Sequence, residues 1–261
     1  RSFREKTKLS GVNSINWGRI VAQIVYYFTA AAALGAPHRE VIFSVPTGNF
    51  GDIFAGYCAR RMGMPIRTLA IATNANDILA RTLATGRYEV TGVTPTISPS
   101  MDIQVSSNFE RLLFEASGRD AEAVRRMMDS LRQSGGFELP EATLNEIRRA
   151  FAAGRADEDT TSRTMAEVMT RSGYLLDPHT AVGVAVGRSL RGGREPVVTL
   201  ATAHPAKFPD AVKAATGIEP ALPLWLADLY ERPERFTVLD NDQGEVERFI
   251  AARARVVEEV R

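Results

Sequence analysis

The chain is poor in several residue types, and each shortage narrows what it does. It has one cysteine, Cys58, in 261 residues, so an internal disulfide and a cysteine-rich zinc site are both excluded. Cys58 falls in an apolar helical pattern and reads as a small buried side chain. A reducing, cytoplasmic setting fits this cysteine usage. The three histidines, His38, His179 and His204, lack metal-ligand spacing. Charge of one sign is missing too. Thirty-two Lys and Arg against 31 Asp and Glu leave a net charge of +1, which supplies no basic field for nucleic acid or an anionic membrane. No apolar run reaches the roughly 20 residues that cross a bilayer. The stretch from Ile20 to Leu34 is broken by Gln23 and Thr29 and reads as a core helix. No serine sits in a G-x-S-x-G elbow. Lysine is confined to Lys6, Lys8, Lys207 and Lys213.

What is present is ordinary for a globular protein: 44% hydrophobic and 24% charged residues. Strand-like and helix-like stretches alternate. A helical pattern runs from Trp17 to Leu34, with Ser14 or Asn16 as its cap and Gly35-Ala-Pro37 as its stop. A strand follows over 40–45, then a helix from Asp52 to Met62, stopped by Gly63-Met-Pro65. A second strand covers 67–72 and a short helix 76–83, with Asn76 as its cap. From Val105 to Gly173 the pattern is mainly helical, including 120–132, 139–153 and 160–172. A small, apolar helix covers 180–190, a third buried strand 197–202 and a helix 209–216. Strands separated by helices of this length predict right-handed crossovers and an α/β fold with a parallel sheet flanked by helices. The expected core is 13–216, followed by a charged helical tail over 217–261.

The stretch Val41-Ile-Phe-Ser-Val-Pro-Thr-Gly-Asn-Phe-Gly-Asp-Ile-Phe-Ala-Gly56 carries most of the functional signal. It reads as a buried strand, a tight turn and the start of a helix. Backbone N–H groups and the positive end of the helix dipole at such a turn suit a phosphate. Gly48 and Gly51 would let the backbone approach an anion closely, and Asn49 adds a side-chain amide. The same pattern also suits a plain connector, and it matches neither the dinucleotide nor the nucleoside-triphosphate fingerprint. A second strand ends in the polar turn Thr202-Ala-His-Pro-Ala-Lys207. Strand carboxyl ends are where open α/β sheets bind ligands, so both turns are expected to face one crevice. His204 and Lys207 either contact an anion there or order the loop and face solvent. Asp177-Pro-His179 opens another helix, where His179 is either a neutral donor or base, or a structural group. Ser106-Ser-Asn-Phe109 is either a substrate loop or a cap.

Taken together, these words resemble threonine synthase, in its bacterial and fungal branch. The resemblance is carried in order by Asn13-Ser-Ile-Asn-Trp-Gly-Arg19 and its helix, Ser44-Val-Pro-Thr-Gly-Asn-Phe-Gly-Asp52, Ala72-Thr-Asn-Ala-Asn-Asp77, Ser100-Met-Asp-Ile103 with Ser107-Asn-Phe-Glu-Arg111, Asp177-Pro-His-Thr-Ala181, and Thr202-Ala-His-Pro-Ala-Lys-Phe208. It implies a tryptophan-synthase-β-like fold (fold type II) and a pyridoxal-phosphate-dependent carbon–oxygen lyase that turns O-phospho-L-homoserine and water into L-threonine and phosphate. On this resemblance Gly48, Asn49, Phe50, Gly51 and Asp52 hold the cofactor phosphate, and Thr202 faces the pyridine nitrogen. A neutral hydroxyl there leaves that nitrogen largely unprotonated. Asn13, Ser14, Asn16, Arg19, Asp102, His179 and Lys207 fall in the same words and are candidates for the substrate, with Arg19 and Lys207 facing its phosphate. The family's Schiff-base lysine belongs to an amino-terminal part that does not match any of the four lysines. The chain is therefore expected to be a carboxyl-terminal portion, incomplete and inactive by itself, with the missing amino-terminal part as its partner. The start Arg1-Ser-Phe-Arg4, without an initiator methionine or a signal-peptide core, agrees with that expectation. A serine/threonine dehydratase of the same fold and a non-catalytic phosphate-ester-binding relative are the alternatives.

Overall fold

A computed structural model describes residues 2–190 and 192–255. The chain divides into two units, residues 14–221 and residues 1–13 with 222–261. The larger unit is built on a four-stranded parallel sheet. Its strands are β1 (Val41–Pro46), β2 (Ile66–Thr73), β5 (Phe151–Arg155) and β6 (Val197–Thr199), in the spatial order β5-β2-β1-β6. Two further strands, β3 (Arg87–Glu89) and β4 (Gly136–Glu138), form a small antiparallel ladder.

The apolar run of β1 is explained by burial on both faces. Phe43 and Val45 join Leu69 and Ile71 in one core, with Ile20, Tyr27 and Ala31 of α2 (Trp17–Ala33) and Ile53 and Ala55 of α3 (Gly51–Arg61). Ala70 and Ala72 point the other way, into a second core with Val182 and Val186 of α9 (Pro178–Ser189). Ser44 shares this second face and donates to the Gly183 carbonyl at 2.6 Å. Successive strand residues thus alternate between the two helical layers. The Asn16 side chain accepts from the Gly18 N–H and caps α2.

Four sequence expectations need correction. The helix expected over 139–153 is α7 (Glu141–Arg148) followed by β5. Leu144, Ile147, Ala150 and Phe151 fit a helical period, but the sheet captures the last of them: Leu69 pairs with Phe151 and Thr73 with Arg155 in the β2 ladder. Asn76 does not cap α4 (Ile78–Thr85); Asp77 occupies that position, without a side-chain cap bond. The Asn76 amide instead donates to the Thr94 carbonyl and to Asp102. The strand expected over 197–202 is β6, which covers only Val197–Thr199 and is half-buried rather than buried. Cys58 is half-buried as well.

The chain order creates a switch point. From β1 the chain crosses to β2 on one side, whereas β6 joins β1 on the other. The loops leaving the carboxyl ends of β1 and β6 therefore diverge around a crevice. Ser44 pairs with Thr199 at the end of β6, and beyond that ladder Thr47 and Thr202 line the same cavity. The remaining helices, α5 (Phe109–Ala116), α6 (Ala121–Ser134), α8 (Glu158–Ser172) and α10 (Pro209–Thr216), complete this unit. The smaller unit contains α1 (Ser2–Thr7), two single 3-10 turns and α11 (Gln243–Ala251).

Candidate functional site

At the switch point lies a cavity of about 620 Å³. The turn from Thr47 to Asp52 lines one side, and Thr202 and Lys207 come from the loop after β6. Phe50 is the amino-terminal cap of α3 and has φ 61° and ψ 11°, a left-handed conformation that costs a non-glycine residue free energy. Its ring is buried against Phe109 and Phe151, with centroids 5.3 and 5.7 Å away, and this packing holds the backbone in place. A left-handed residue followed by the right-handed first turn of a helix directs successive N–H groups into one concavity. No side chain caps α3, so these donors remain the natural partners of an anion.

The carbonyls of the turn are drawn away in the opposite direction. Ser106 Oγ donates to the Gly48 carbonyl at 2.7 Å. Asn49 O accepts from both the Asn108 backbone N–H and its side-chain amide, at 3.1 and 2.9 Å. That amide also donates to Ser14 Oγ at 3.1 Å. The Ser106-Ser-Asn-Phe109 word is thus a buried clamp on the turn. The two glycines have a reason that the sequence did not reveal. A Cβ on Gly48 would lie 2.7 Å from the Ser100 carbonyl oxygen, and one on Gly51 would lie 2.8 Å from Ser14 Cβ. Protein packing, not anion approach alone, demands glycine at both positions.

Asp52 supplies a first-turn N–H, but its carboxyl sits 3.3 Å from the Tyr27 hydroxyl, which donates more strongly to the Asp52 carbonyl at 2.8 Å. Burial raises the Asp52 carboxyl to about 6, although the Tyr27 hydrogen bond opposes the shift. Burial also pushes the Tyr27 hydroxyl well up, and the Asp52 charge adds to this. The acid beside the turn is therefore close to neutral in mildly acidic solution.

His179 is 3% exposed. Its Nε2 accepts from the Ser100 N–H at 3.2 Å, so Nδ1, 3.1 Å from Asp177 Oδ1, carries the proton and donates. The ring is neutral in this arrangement and packs on Phe208. Burial works to raise the Asp177 carboxyl, but hydrogen bonds from His179 and Thr180 leave it below the usual range. His179 therefore fixes Ser100, whose carbonyl faces Gly48.

Of the substrate candidates, Ser14, Arg19, His179 and Lys207 line the cavity, and Asn16 and Asp102 do not. Asp102 instead gathers the loop before it. It accepts from Asn74 at 2.8 Å, from Asn76 at 2.9 Å, and from the N–H and hydroxyl of Thr96. Asn13 belongs to the smaller unit. His204 orders its own turn, with Nδ1 accepting from the Ala206 N–H, and is not a lining residue. Sequence reasoning missed Gln23 and Tyr26 as lining residues. The available signal was a polar stripe, Arg19-Gln23-Tyr26, at helical spacing on an otherwise apolar helix.

A larger groove of about 1130 Å³ runs along α2, α3, α5 and α6 and holds Cys58. Its rim arginines are engaged: Arg61 and Arg119 both pair with Glu115. Burial and Glu115 push the Cys58 thiol up to about 11, so it is a poor nucleophile. The groove has no turn of converging amides and is not the candidate site. Among the described residues no cluster of His, Cys, Asp and Glu could hold a metal ion, and no helix is long and apolar enough to cross a membrane.

Known proteins resemble this chain in sequence and in fold. The family model "Threonine synthase, C-terminal" matches residues 180–250. A threonine synthase of Pseudomonas aeruginosa is 54% identical over 253 residues, covering 96% of this chain and 54% of that protein. The threonine synthase of Saccharomyces cerevisiae is 43% identical over 235 residues, covering 82% and 46% respectively. Among solved structures, PLP-bound threonine synthase from Brucella melitensis superposes with a TM-score of 0.94 at 62% identity, covering 98% of this chain and 55% of that one. The chain thus spans about half the length of the curated relatives it matches.

Proposed function

The chain belongs to the threonine synthase family, and from that premise we propose that it forms the phosphate-gripping side of a pyridoxal-phosphate enzyme. The complete protein would convert O-phospho-L-homoserine and water to L-threonine and phosphate, in the cytoplasm. One observation carries this reading. The amide-lined turn 47–52 and Thr202 open into the same cavity of about 620 Å³, together with the cations Arg19 and Lys207.

The residues fit the cofactor. The N–H groups of the turn at Gly48, Asn49, Phe50, Gly51 and Asp52 would hold its phosphate, and the Ser106 and Asn108 clamp engages the Gly48 and Asn49 carbonyls. Thr202 would offer its hydroxyl to the pyridine nitrogen, a neutral partner that would leave that nitrogen largely unprotonated. When bound, the cofactor supplies an electron sink for carbanions at the substrate's α- and β-carbons. Arg19 and Lys207 would hold the substrate phosphate, which leaves the γ-carbon as an anion; a proton takes its place on the γ-carbon, and the hydroxyl of water replaces a proton lost from the β-carbon. Ser14 stands beside the turn as a further substrate contact. His179 acts through Ser100, keeping that wall of the cavity in register with Gly48.

The amine that binds the cofactor covalently is assigned to a part of the protein beyond residues 1–261. Lys6 lies in α1 and Lys8 directly after it, neither of them a lining residue of the cavity, and Lys213 pairs with Glu219 at 2.8 Å on the surface. Lys207 lines the cavity but is needed for phosphate. Residues 1–261 alone are therefore expected to yield no pyridoxyl-lysine after borohydride reduction. The activity itself is tested by incubating the purified full-length protein with O-phospho-L-homoserine. Threonine and phosphate in equal amounts support the reading. Conversion of threonine to 2-oxobutyrate, with no reaction of the phosphate ester, would establish a dehydratase instead.

A further inference from the structure

Asn108 stands at the start of α5, where an asparagine oxygen ordinarily caps the first helical N–H groups. It makes no such cap. The residue is fully buried, and its amide is given over to other partners. Nδ2 donates to the Asn49 carbonyl at 2.9 Å and to Ser14 Oγ at 3.1 Å. Oδ1 accepts from Arg111 Nε at 2.9 Å. A side-chain amide keeps nearly the same shape after a half-turn, so its partners decide which end points where. The Asn49 carbonyl only accepts, and a guanidinium only donates. Turning the amide over would set Nδ2 against Nε and Oδ1 against the Asn49 oxygen. Arg111 therefore keeps the N–H end of Asn108 aimed at the turn.

The same guanidinium secures the neighbouring segment. Arg111 Nη2 donates to the Ile15 carbonyl at 2.8 Å, and its central carbon lies 5.8 Å from the Trp17 ring centroid. Ile15 follows Ser14, which lines the cavity, and Trp17 opens the helix that carries Arg19. Arg111 itself does not line the cavity. We propose that Arg111 is a positioning residue for the cofactor phosphate: by fixing the Asn108 amide it fixes the Asn49 carbonyl. In a trans peptide the C=O and N–H point opposite ways, so holding the Asn49 oxygen aims the Phe50 N–H in the opposite direction. The inference rests on the reading of the turn 47–52 as the seat of that phosphate. A planar fork with donors at fixed angles suits the task better than the point charge of a lysine.

The test uses the full-length protein freed of cofactor. Pyridoxal 5'-phosphate and pyridoxal, which has the same ring and aldehyde without the phosphate, are titrated and followed by absorbance of the bound ring. Wild type is expected to bind the phosphate form more tightly. Arg111→Met loses about tenfold for pyridoxal 5'-phosphate, the size of one hydrogen bond to a charged group, and keeps its affinity for pyridoxal. Arg111→Lys, a milder change that retains the charge and one donor nitrogen, loses less, again only for the phosphate form. With Asn108→Ala already in place, Arg111→Met costs nothing further, because the amide it held is gone. Equal losses for the two ligands mark a merely structural role and overturn the proposal. Losses that multiply to about a hundredfold in the double variant overturn it as well. A wild-type preference that survives intact in Arg111→Met overturns the role of Arg111 alone. If wild type binds pyridoxal as tightly as its phosphate, the turn is not the phosphate seat, and the reading of the site falls together with the proposal.

Discussion

Asp52→Asn removes one ionisable proton and leaves the shape of the α3 first turn intact. Burial pushes the Asp52 carboxyl up from its ordinary 3.8 to about 6 in the folded protein. A difference of about two units at 1.36 kcal/mol each corresponds to about 3 kcal/mol. The sign follows from linkage. At pH below 3.8 the carboxyl is protonated in both folded and unfolded chains, and the native state bears no penalty. As pH rises from 3.8 towards 6, the unfolded chain ionises first and native stability falls. Above 6 the full penalty of about 3 kcal/mol persists, because the ionised group stays buried beside Tyr27. Asparagine keeps the oxygen that Tyr27 faces and has no charge to bury. Urea unfolding of both proteins should show near-equal stability at pH 4. At pH 7.5 the variant should be more stable by about 3 kcal/mol, or roughly 6–12 °C in melting temperature. The variant should also bind inorganic phosphate more tightly at pH 7.5, since a carboxylate no longer opposes the anion. A stability difference that is the same at both pH values, or a variant less stable at pH 7.5, would refute the reasoning.

Other perturbations act on the packing of the same turn. Gly48→Ala forces a Cβ to 2.7 Å from a backbone oxygen that His179 holds through the Ser100 N–H; overpacking of this kind costs about 1–3 kcal/mol, read as a lower melting temperature with weaker cofactor binding. Asn108→Ala releases the Asn49 carbonyl and Ser14 and should lose about 1–3 kcal/mol of stability and roughly tenfold in cofactor affinity by equilibrium titration. His179→Ala strands the buried Asp177 carboxylate and the Ser100 N–H; a drop of about 3–5 kcal/mol in unfolding free energy is expected, whereas Lys207→Ala should leave stability unchanged and weaken phosphate-ester binding.

How far the sequence revealed this depends on the kind of constraint. The strand β1 and its turn were legible because an apolar run ending at Pro46-Thr-Gly48 is punctuated by residues with strong local preferences. The turn at Thr202 was legible because it follows a second apolar run, Val197–Thr199 in the structure, and the switch-point rule connects the two. The strand β5 was not legible. Its Phe-Ala-Ala-Gly-Arg segment has no β-branched residue, and its apolar positions continue the period of α7; only pairing with β2 makes it a strand. Asp102 was a substrate candidate because it falls in a word of the resemblance, and no spacing rule reveals that Asn74, Asn76 and Thr96 converge on it across the loop. The clamp by Ser106 and Asn108 is equally non-local, about 58 residues along the chain from the carbonyls it holds.

The most direct test of the account is a crystal structure of the full-length protein with pyridoxal 5'-phosphate bound. The account predicts phosphate oxygens within hydrogen-bond distance of the backbone nitrogens between Gly48 and Asp52, and the Thr202 hydroxyl within the same distance of the pyridine nitrogen. A phosphate seated elsewhere, for example in the groove along α2, α3, α5 and α6, or a pyridine ring remote from Thr202, would contradict it.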